Sequence, residues 1–224
     1  LEPPDGNQDL LLSVPVETLP VVSARGWNTF AAGSAALAAL CWWGVLQLIG
    51  LAAWPLAARL APHWPDRGYA IAKGLGLILT GYLAWLGASL RWLQNTPGTA
   101  WGALLVVAVV ACVVFRLRRG ESPGQSPIPW RQVLYSELVF SGAFLAFVLV
   151  RLLNPDLWQP WFGGEKMMEI AMLNAVSRSA YLPPYDPYFA GGTLNYYYYG
   201  LYLVSLLGKL TGLPPEISFN LAVP

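Results

Sequence analysis

Long stretches without a charged residue dominate the hydrophobic pattern of the chain. Asp, Glu, Lys and Arg are absent from residues 26–58, 92–115 and 187–208, and the apolar runs 69–90 and 133–153 contain only one and two charges. A hydrocarbon core about 30 Å thick needs roughly 20 mostly apolar helical residues to span it. The pattern therefore predicts an all-α polytopic membrane protein with about five transmembrane helices.

The spans are predicted at residues 30–54, 69–90, 99–115, 133–153 and 196–210. Pro55 is expected to end the first span, because proline lacks a backbone donor and clashes with the preceding turn. The chain then divides into a polar segment 1–28, a three-helix membrane region 29–132, and a region 133–224 that ends at the start of a further helix. We expect the chain to be a piece of a longer protein.

Composition narrows the class of protein. Hydrophobic residues make up 56% of the chain and charged residues only 11%, against about a quarter charged in soluble domains. A soluble enzyme is therefore not expected. The net charge of +1 also gives no reason to expect nucleic-acid binding, which needs a concentrated basic surface.

The positions of Lys and Arg predict the orientation, because short cytoplasmic loops carry an excess of both. Linker 116–131 contains four arginines and loop 59–68 contains two. We therefore predict a plasma-membrane protein with these two segments in the cytoplasm. The N-terminal segment and loop 154–195 would then lie outside.

Lys73, Glu137 and Arg151 fall within the predicted spans, where a charge is expensive. Lys73 and Glu137 each lie about four residues from the cytoplasmic end of their spans, roughly 6 Å deep at 1.5 Å per residue. Their equal depth and opposite charge suggest an intramembrane pair, although each side chain can also reach the interface separately. Arg151, at the outer end of its span, either reaches the interface or points into the external segment.

The external segment 154–195 carries the candidate chemistry. After Gly163-Gly164, residues 165–179 follow a helical pattern typical of an amphipathic surface helix. Glu165 and Glu169 lie four residues apart, on one face near the helix start. Acids there are stabilised by the helix dipole, but they also suit a general base or a ligand for a hard cation.

The second half of this segment contains two turns and a run of tyrosines. Prolines on both sides hold Asp186 in extended backbone. Asn195 then precedes four consecutive tyrosines, residues 196–199. Tyrosines in such a position are typical of an aromatic belt at the headgroup level, and some of them are also suited to line a pocket for a sugar or a polar headgroup.

Residues 163–200, GGEKMMEIAMLNAVSRSAYLPPYDPYFAGGTLNYYYYG, resemble the signature of the YYY membrane-protein family, which is named for its tyrosine run. Pieces outside this block agree with the resemblance: residues 66–69 with Lys73, Glu137 within Ser-Glu-Leu-Val-Phe, Arg151 with Asn154-Pro155-Asp156, and residues 219–222. Members of that family are long multi-spanning proteins of uncharacterised function.

The layout of region 133–224 also resembles, more distantly, the first external loop of GT-C glycosyltransferases. Those enzymes take a sugar from a polyprenyl-phosphate carrier at the outer membrane face. By this resemblance, Glu165 matches the loop acid that serves as base or metal ligand, Glu169 the second acid of the surface helix, and Tyr197 and Tyr198 the aromatic pair at the next helix. GT-C proteins place the loop after their first span, whereas here it follows the fourth.

The resemblance implies a division of roles among the external residues. Glu165 would be the base for the acceptor hydroxyl, and Lys166, Arg178 or Arg151 would hold the departing phosphate. Asp186 and Asn195 would bind sugar hydroxyls or a divalent cation. No cofactor is certain, but Glu165 and Asp186 suit a divalent cation such as Mg²⁺ or Mn²⁺.

Two other functions stay open from the sequence. One is a transporter or flippase component that uses Lys73, Glu137 and Arg151 within the bundle. The other is a structural membrane protein whose external loop only packs on its own helices. An outer cleft lined by Glu165, Asp186 and Asn195 would favour the transferase, whereas a polar path across the bundle midplane would favour transport.

Overall fold

The computed structural model describes residues 19–117, 129–157, 166–189, 191–195 and 197–223. Within these ranges the regular structure is helical, apart from two isolated β-bridges. The helices, in chain order, are α1 (Thr29–Ala32), α2 (Ala35–Leu60), α3 (Tyr69–Ser89), α4 (Pro97–Leu117), α5 (Trp130–Leu153), α6 (Lys166–Arg178), α7 (Tyr198–Thr211) and α8 (Pro215–Leu221).

Four of the described helices are long and apolar enough to cross a membrane: α2, α3, α4 and α5, with 26, 21, 21 and 24 residues. The fifth predicted span is not confirmed. It corresponds to α7, which has 14 residues and is therefore about 21 Å long at 1.5 Å per residue, short of a core about 30 Å thick. Helix α7 packs against α2, α3 and α4.

The first span differs from its prediction at both ends. Residues 29–32 form the separate helix α1, because the Ser34 hydroxyl accepts from the Leu37 N–H and starts α2 there. Helix α2 then continues through Pro55 to Leu60. Ala53 and Ala57, on either side of the proline, are fully buried, and neighbouring helices allow a membrane helix to tolerate a missing backbone bond.

Small residues bring α2 and α3 into close contact. A Cβ atom on Gly76 would lie 2.6 Å from the Ile49 carbonyl oxygen and 3.0 Å from the Ala53 Cβ. Such close backbone approach is the usual basis of helix packing within membranes. Because the obstacle at Gly76 is backbone, a larger side chain there requires the two helices to separate.

The bundle has two different ends. At one end, named the open end, α2 and α4 finish and α3 and α5 begin, and the Arg59 guanidinium donates to the Phe115 carbonyl oxygen at 2.8 Å. The other end is covered by the described residues of 19–32 and 166–223, named the cap layer. Its helices α6, α7 and α8 contact one another, and α7 packs between the ends of the spans.

We predict that Gly76→Ala destabilises the protein by about 1–3 kcal/mol, the usual range for overpacking a close contact. Gly74→Ala is the matched control, since a Cβ atom there meets nothing within 4 Å and alanine is the better helix former. Thermal unfolding of the purified protein in detergent measures both. Equal melting temperatures for the two variants would contradict the close contact at Gly76.

Candidate functional site

The C-terminal end of α6 is fixed to three separate parts of the chain. The last four carbonyl groups of a helix have no partner within the helix. In α6 the Ala175 oxygen accepts from the Ser179 N–H, just after the helix, at 2.9 Å. The other three carbonyl groups, and that of Ser179, accept hydrogen bonds from other parts of the chain. The donors are the Asn95 side-chain amide to the Val176 and Ser179 oxygens (2.9 and 3.2 Å), the Lys209 ammonium to the Ser177 oxygen (2.8 Å), and the Val22 N–H to the Arg178 oxygen (2.7 Å). We name this set the α6 clamp.

The clamp joins elements that lie far apart in the sequence. Asn95 belongs to the loop between α3 and α4, Lys209 belongs to α7, and Val22 precedes α1. Asn95 is buried, and its own N–H donates to the Ala180 oxygen at 2.8 Å. The surface helix is therefore held by the bundle, by α7 and by the N-terminal segment at once.

Lys209 carries the charge in the clamp. Its side chain is buried, with 8% of the residue surface exposed, and burial lowers the pKa of its ammonium group to about 8. A cation beside the carbonyl groups of a helix C-terminus is favoured by the helix dipole, but removal from water disfavours its charged form more strongly.

Helix α6 also buries one apolar face in the cap layer. Leu173 and Val176 are fully buried, and Val176 packs in a cluster with Leu182, Leu194 and Tyr202. The hydrophobic face and the clamp together leave the N-terminal turn of α6 as its least buried part, and this turn carries Lys166 and Glu169.

The turn that contains Asp186 lies beside that N-terminal turn. The Asp186 carboxylate accepts from the N–H groups of Tyr188 and Phe189, at 2.8 and 3.2 Å. The Tyr188 hydroxyl in turn donates to the Met167 carbonyl oxygen at 3.4 Å. This contact links Tyr188, two residues after Asp186, to the first turn of α6. Glu165, the predicted base, lies outside the described residues.

Asn195 is separated from Asp186 along a short hairpin. Residues Tyr185 and Thr193 form an antiparallel bridge, and the Leu194 N–H donates to the Pro184 oxygen at 2.8 Å. Asn195 is exposed at the end of this pairing, at the opposite end of the hairpin from the Asp186 turn. The structure does not bring the two side chains together.

The tyrosines at the start of α7 divide between the surface and α3. Tyr197 is 79% exposed, whereas Tyr198 accepts a hydrogen bond from the Trp85 indole at 2.8 Å. Tyr199 packs edge-on against the same Trp85 ring. Tyr196 lies outside the described residues. The predicted aromatic pair Tyr197–Tyr198 therefore points in two directions.

The three cations predicted to hold a phosphate lie far apart. Lys166 and Arg178 are at opposite ends of α6, about 18 Å apart at 1.5 Å per residue. Arg151, at the end of α5, donates to the Asn220 side chain of α8, which itself donates to the Pro155 oxygen at 3.1 Å. Of the three, Lys166 is the one near the Asp186 turn.

Within the bundle, the Lys73 ammonium contacts the Glu137 carboxylate. The same carboxylate accepts from the Tyr69 hydroxyl at 2.7 Å and from the Gln47 amide at 2.9 Å. The sequence pattern did not indicate these two partners, although Gln47 is the single amide side chain in the apolar run of α2. The group ties α5 to α2 and α3 by polar contacts.

This polar group does not extend to Arg151. Glu137 and Arg151 are 14 residues apart on α5, about 21 Å along the helix, and Arg151 is engaged with Asn220 in the cap layer. The three ionisable residues of the transporter hypothesis therefore belong to two separate sites.

The described residues contain no group of three or more His, Cys, Asp or Glu side chains arranged to hold a metal ion. Because Glu165 lies outside those residues, its pairing with Asp186 around a divalent cation stays a prediction.

The fold and the apolar surface of its spans define a multi-pass α-helical membrane protein that contacts the lipid bilayer. A family model described as "Uncharacterized membrane protein (DUF2298)" matches residues 79–224. The chain belongs to this family, and the match covers the second half of α3 and the whole of α4 to α8. Comparison with curated proteins and with solved structures found no match. The family match confirms a membrane-protein family, but neither the YYY name nor the GT-C resemblance.

We predict that Asn95→Ala destabilises the cap layer by about 1–3 kcal/mol, because it leaves carbonyl groups of α6 buried without a donor. Asn195→Ala is the matched control, since Asn195 is exposed. Limited proteolysis of the purified protein, read as the rate of cleavage between residues 157 and 190, measures the effect. Equal cleavage rates for the two variants would contradict a role for Asn95 in holding α6.

The lowered pKa of Lys209 makes the stability of the folded protein depend on pH. Its pKa is about 8 in the folded protein and 10.5 without burial, so between these values the unfolded chain binds more protons and stability rises with pH. The desolvation penalty is present in full below pH 8 and is lost above pH 10.5. The melting temperature of the wild type should therefore rise with pH over this window relative to the melting temperature of Lys209→Met. Both are measured in gluconate buffer without chloride. A flat or falling difference would contradict the burial of a charged Lys209.

Proposed function

We propose that the full-length protein is a GT-C-like glycosyltransferase that moves a sugar from a polyprenyl-phosphate donor at the outer face of the plasma membrane. The observation that carries the proposal is the contact between the Tyr188 hydroxyl and the Met167 carbonyl. It sets the Asp186 turn beside the first turn of a clamped surface helix, where the resemblance puts the reacting acids.

The proposed roles follow from the chemistry of the transfer. A phosphate leaving group departs as an anion, so the reaction needs a base for the acceptor hydroxyl and positive charge for the phosphate. Glu165 is the proposed base and Lys166, the next residue, the proposed phosphate ligand. Glu169 lies one turn further along α6, where it supports the orientation of substrate or cation. Arg178 and Arg151 are less suited, given their separation from this turn.

Asp186 is the proposed ligand for sugar hydroxyls or for a divalent cation. Its Oδ1 atom accepts both turn hydrogen bonds, and a carboxylate has a second oxygen with acceptor capacity of its own. If Mg²⁺ or Mn²⁺ takes part, Asp186 and Glu165 supply the hard oxygen ligands that such ions prefer. Asn195 and Tyr197, both exposed, are proposed to contact more distant parts of the donor or the acceptor.

The proposal includes an orientation. Six of the ten arginines in the sequence fall in the two short segments 59–68 and 116–131, which connect the helices at the open end of the bundle, and an excess of arginine in short loops favours the cytoplasm. The cap layer, with α6 and the Asp186 turn, would then face outward. This is the side on which a lipid-linked donor would be used.

Transport is the second candidate function, and the polar group of Gln47, Tyr69, Lys73 and Glu137 favours it. Such groups within membrane helices often mark ion or substrate paths. The distance of about 21 Å between Glu137 and Arg151 along α5 argues against one continuous path. Both carboxylate oxygens of Glu137 also accept hydrogen bonds from side chains of α2 and α3. A purely structural role for the cap layer is the third candidate function.

The experiment uses the full-length protein in native membranes, supplied with radiolabelled polyprenyl-phosphate sugars. Glu165→Gln should reduce sugar transfer by about 10²–10⁴-fold, the usual contribution of a general base. Glu216→Gln is the matched control, because Glu216 is exposed on α8 and should leave transfer unchanged. Expression and membrane insertion of both variants are compared on the same samples.

Transfer that persists in Glu165→Gln would exclude Glu165 as the base. Absence of transfer from every donor, under conditions where a characterised glycosyltransferase is active, would contradict the transferase proposal and favour transport.

A further inference from the structure

A small cavity lies beside Lys209, where the N-terminal segment crosses α7 and α8. Its volume is about 20 Å³, which accommodates about one water molecule or one monatomic ion. Its wall includes residues 23–27, the α7 residues Ser205, Gly208 and Lys209, Ser177 of α6 and Ser218 of α8. The cavity therefore adjoins the α6 clamp on the side of its lysine.

The wall combines positive charge with hydroxyl donors. Lys209 and Arg25 are the charged residues among the described residues that line it, and none of those residues is Asp or Glu. The Ser177 hydroxyl donates to the Ser205 hydroxyl at 2.9 Å, and this leaves Ser205 with a proton of its own to donate. The described lining thus offers the Lys209 ammonium group and the Ser205 hydroxyl as donors, and it lacks a carboxylate.

A buried ammonium group destabilises the folded protein unless its charge is compensated. The partner that Lys209 has in the structure is the neutral Ser177 carbonyl, which accepts a hydrogen bond but brings no negative charge. A small anion in the adjacent cavity would supply that charge. A monatomic anion matches a space of this size better than a tetrahedral oxyanion such as phosphate, which has five heavy atoms.

We propose that this cavity binds a chloride ion, held by the Lys209 ammonium group and by the Ser205 hydroxyl group. The ion neutralises the lysine at the point where it holds the Ser177 carbonyl, and so strengthens the α6 clamp. This site is independent of the proposed transferase function. It makes the stability of the cap layer depend on halide concentration.

The test measures the melting temperature of the purified full-length protein while sodium chloride replaces sodium gluconate at constant ionic strength. The wild type should show a saturable rise of about 2–4 °C, as expected for about 1 kcal/mol of stabilisation, and bromide should act like chloride. Lys209→Met should lose the rise, whereas Lys166→Met, a matched lysine outside the cavity, should keep it.

Ser205→Ala provides a variant that keeps the cation and removes one donor. It should need a several-fold higher chloride concentration for the same shift. Chloride should also move the pH-dependent rise in stability to higher pH in the wild type, since an anion favours the charged lysine. Equal melting temperatures in chloride and gluconate would show that the cavity holds only water, and an unchanged response in Lys209→Met would assign the chloride effect to another site. Either result would overturn the proposal.

Discussion

The carbonyl groups left without a partner at the end of α6 impose the constraint on which the cap layer depends. A helix that lies across the end of a membrane bundle cannot leave these groups buried without donors, because each orphan is costly. Here Asn95, Lys209 and Val22 supply the donors, and each comes from a different part of the chain. Satisfying one helix end therefore fixes the position of the N-terminal segment, the α3–α4 loop and α7 relative to one another.

That arrangement determines what the other end of α6 can do. The clamp and the buried Leu173 and Val176 fix the helix, and its N-terminal turn is left beside the Asp186 turn. A site on a rigid helix with a less buried first turn suits a group that must meet a substrate. Within the bundle, the contacts of Glu137 with Lys73, Tyr69 and Gln47 hold α5 against α2 and α3. Helix α5 is the span that precedes α6 in the chain.

Local signals in the sequence were sufficient to predict the four long spans and the surface helix α6. Length, hydrophobicity and periodicity are properties of single segments. These signals failed for features that tertiary contacts determine. Helix α2 continues through Pro55, and α7 is shorter than a span. Of the site residues, Lys73 and Glu137 were recognisable by their equal depth. Asn95 and Lys209 were not, since their roles depend on which segments meet at α6. A lysine within the apolar run of α7 was the one available signal for the latter.

Hydrogen exchange tests the role of the clamp most directly. In the purified full-length protein, wild type and Asn95→Ala would be compared for peptides covering residues 20–28, 166–180 and 205–213. If one helix end holds the cap layer together, the variant should lose protection in all three segments in parallel, because they open as one cooperative unit. Faster exchange confined to residues 166–180, with the other two segments unchanged, would contradict the account.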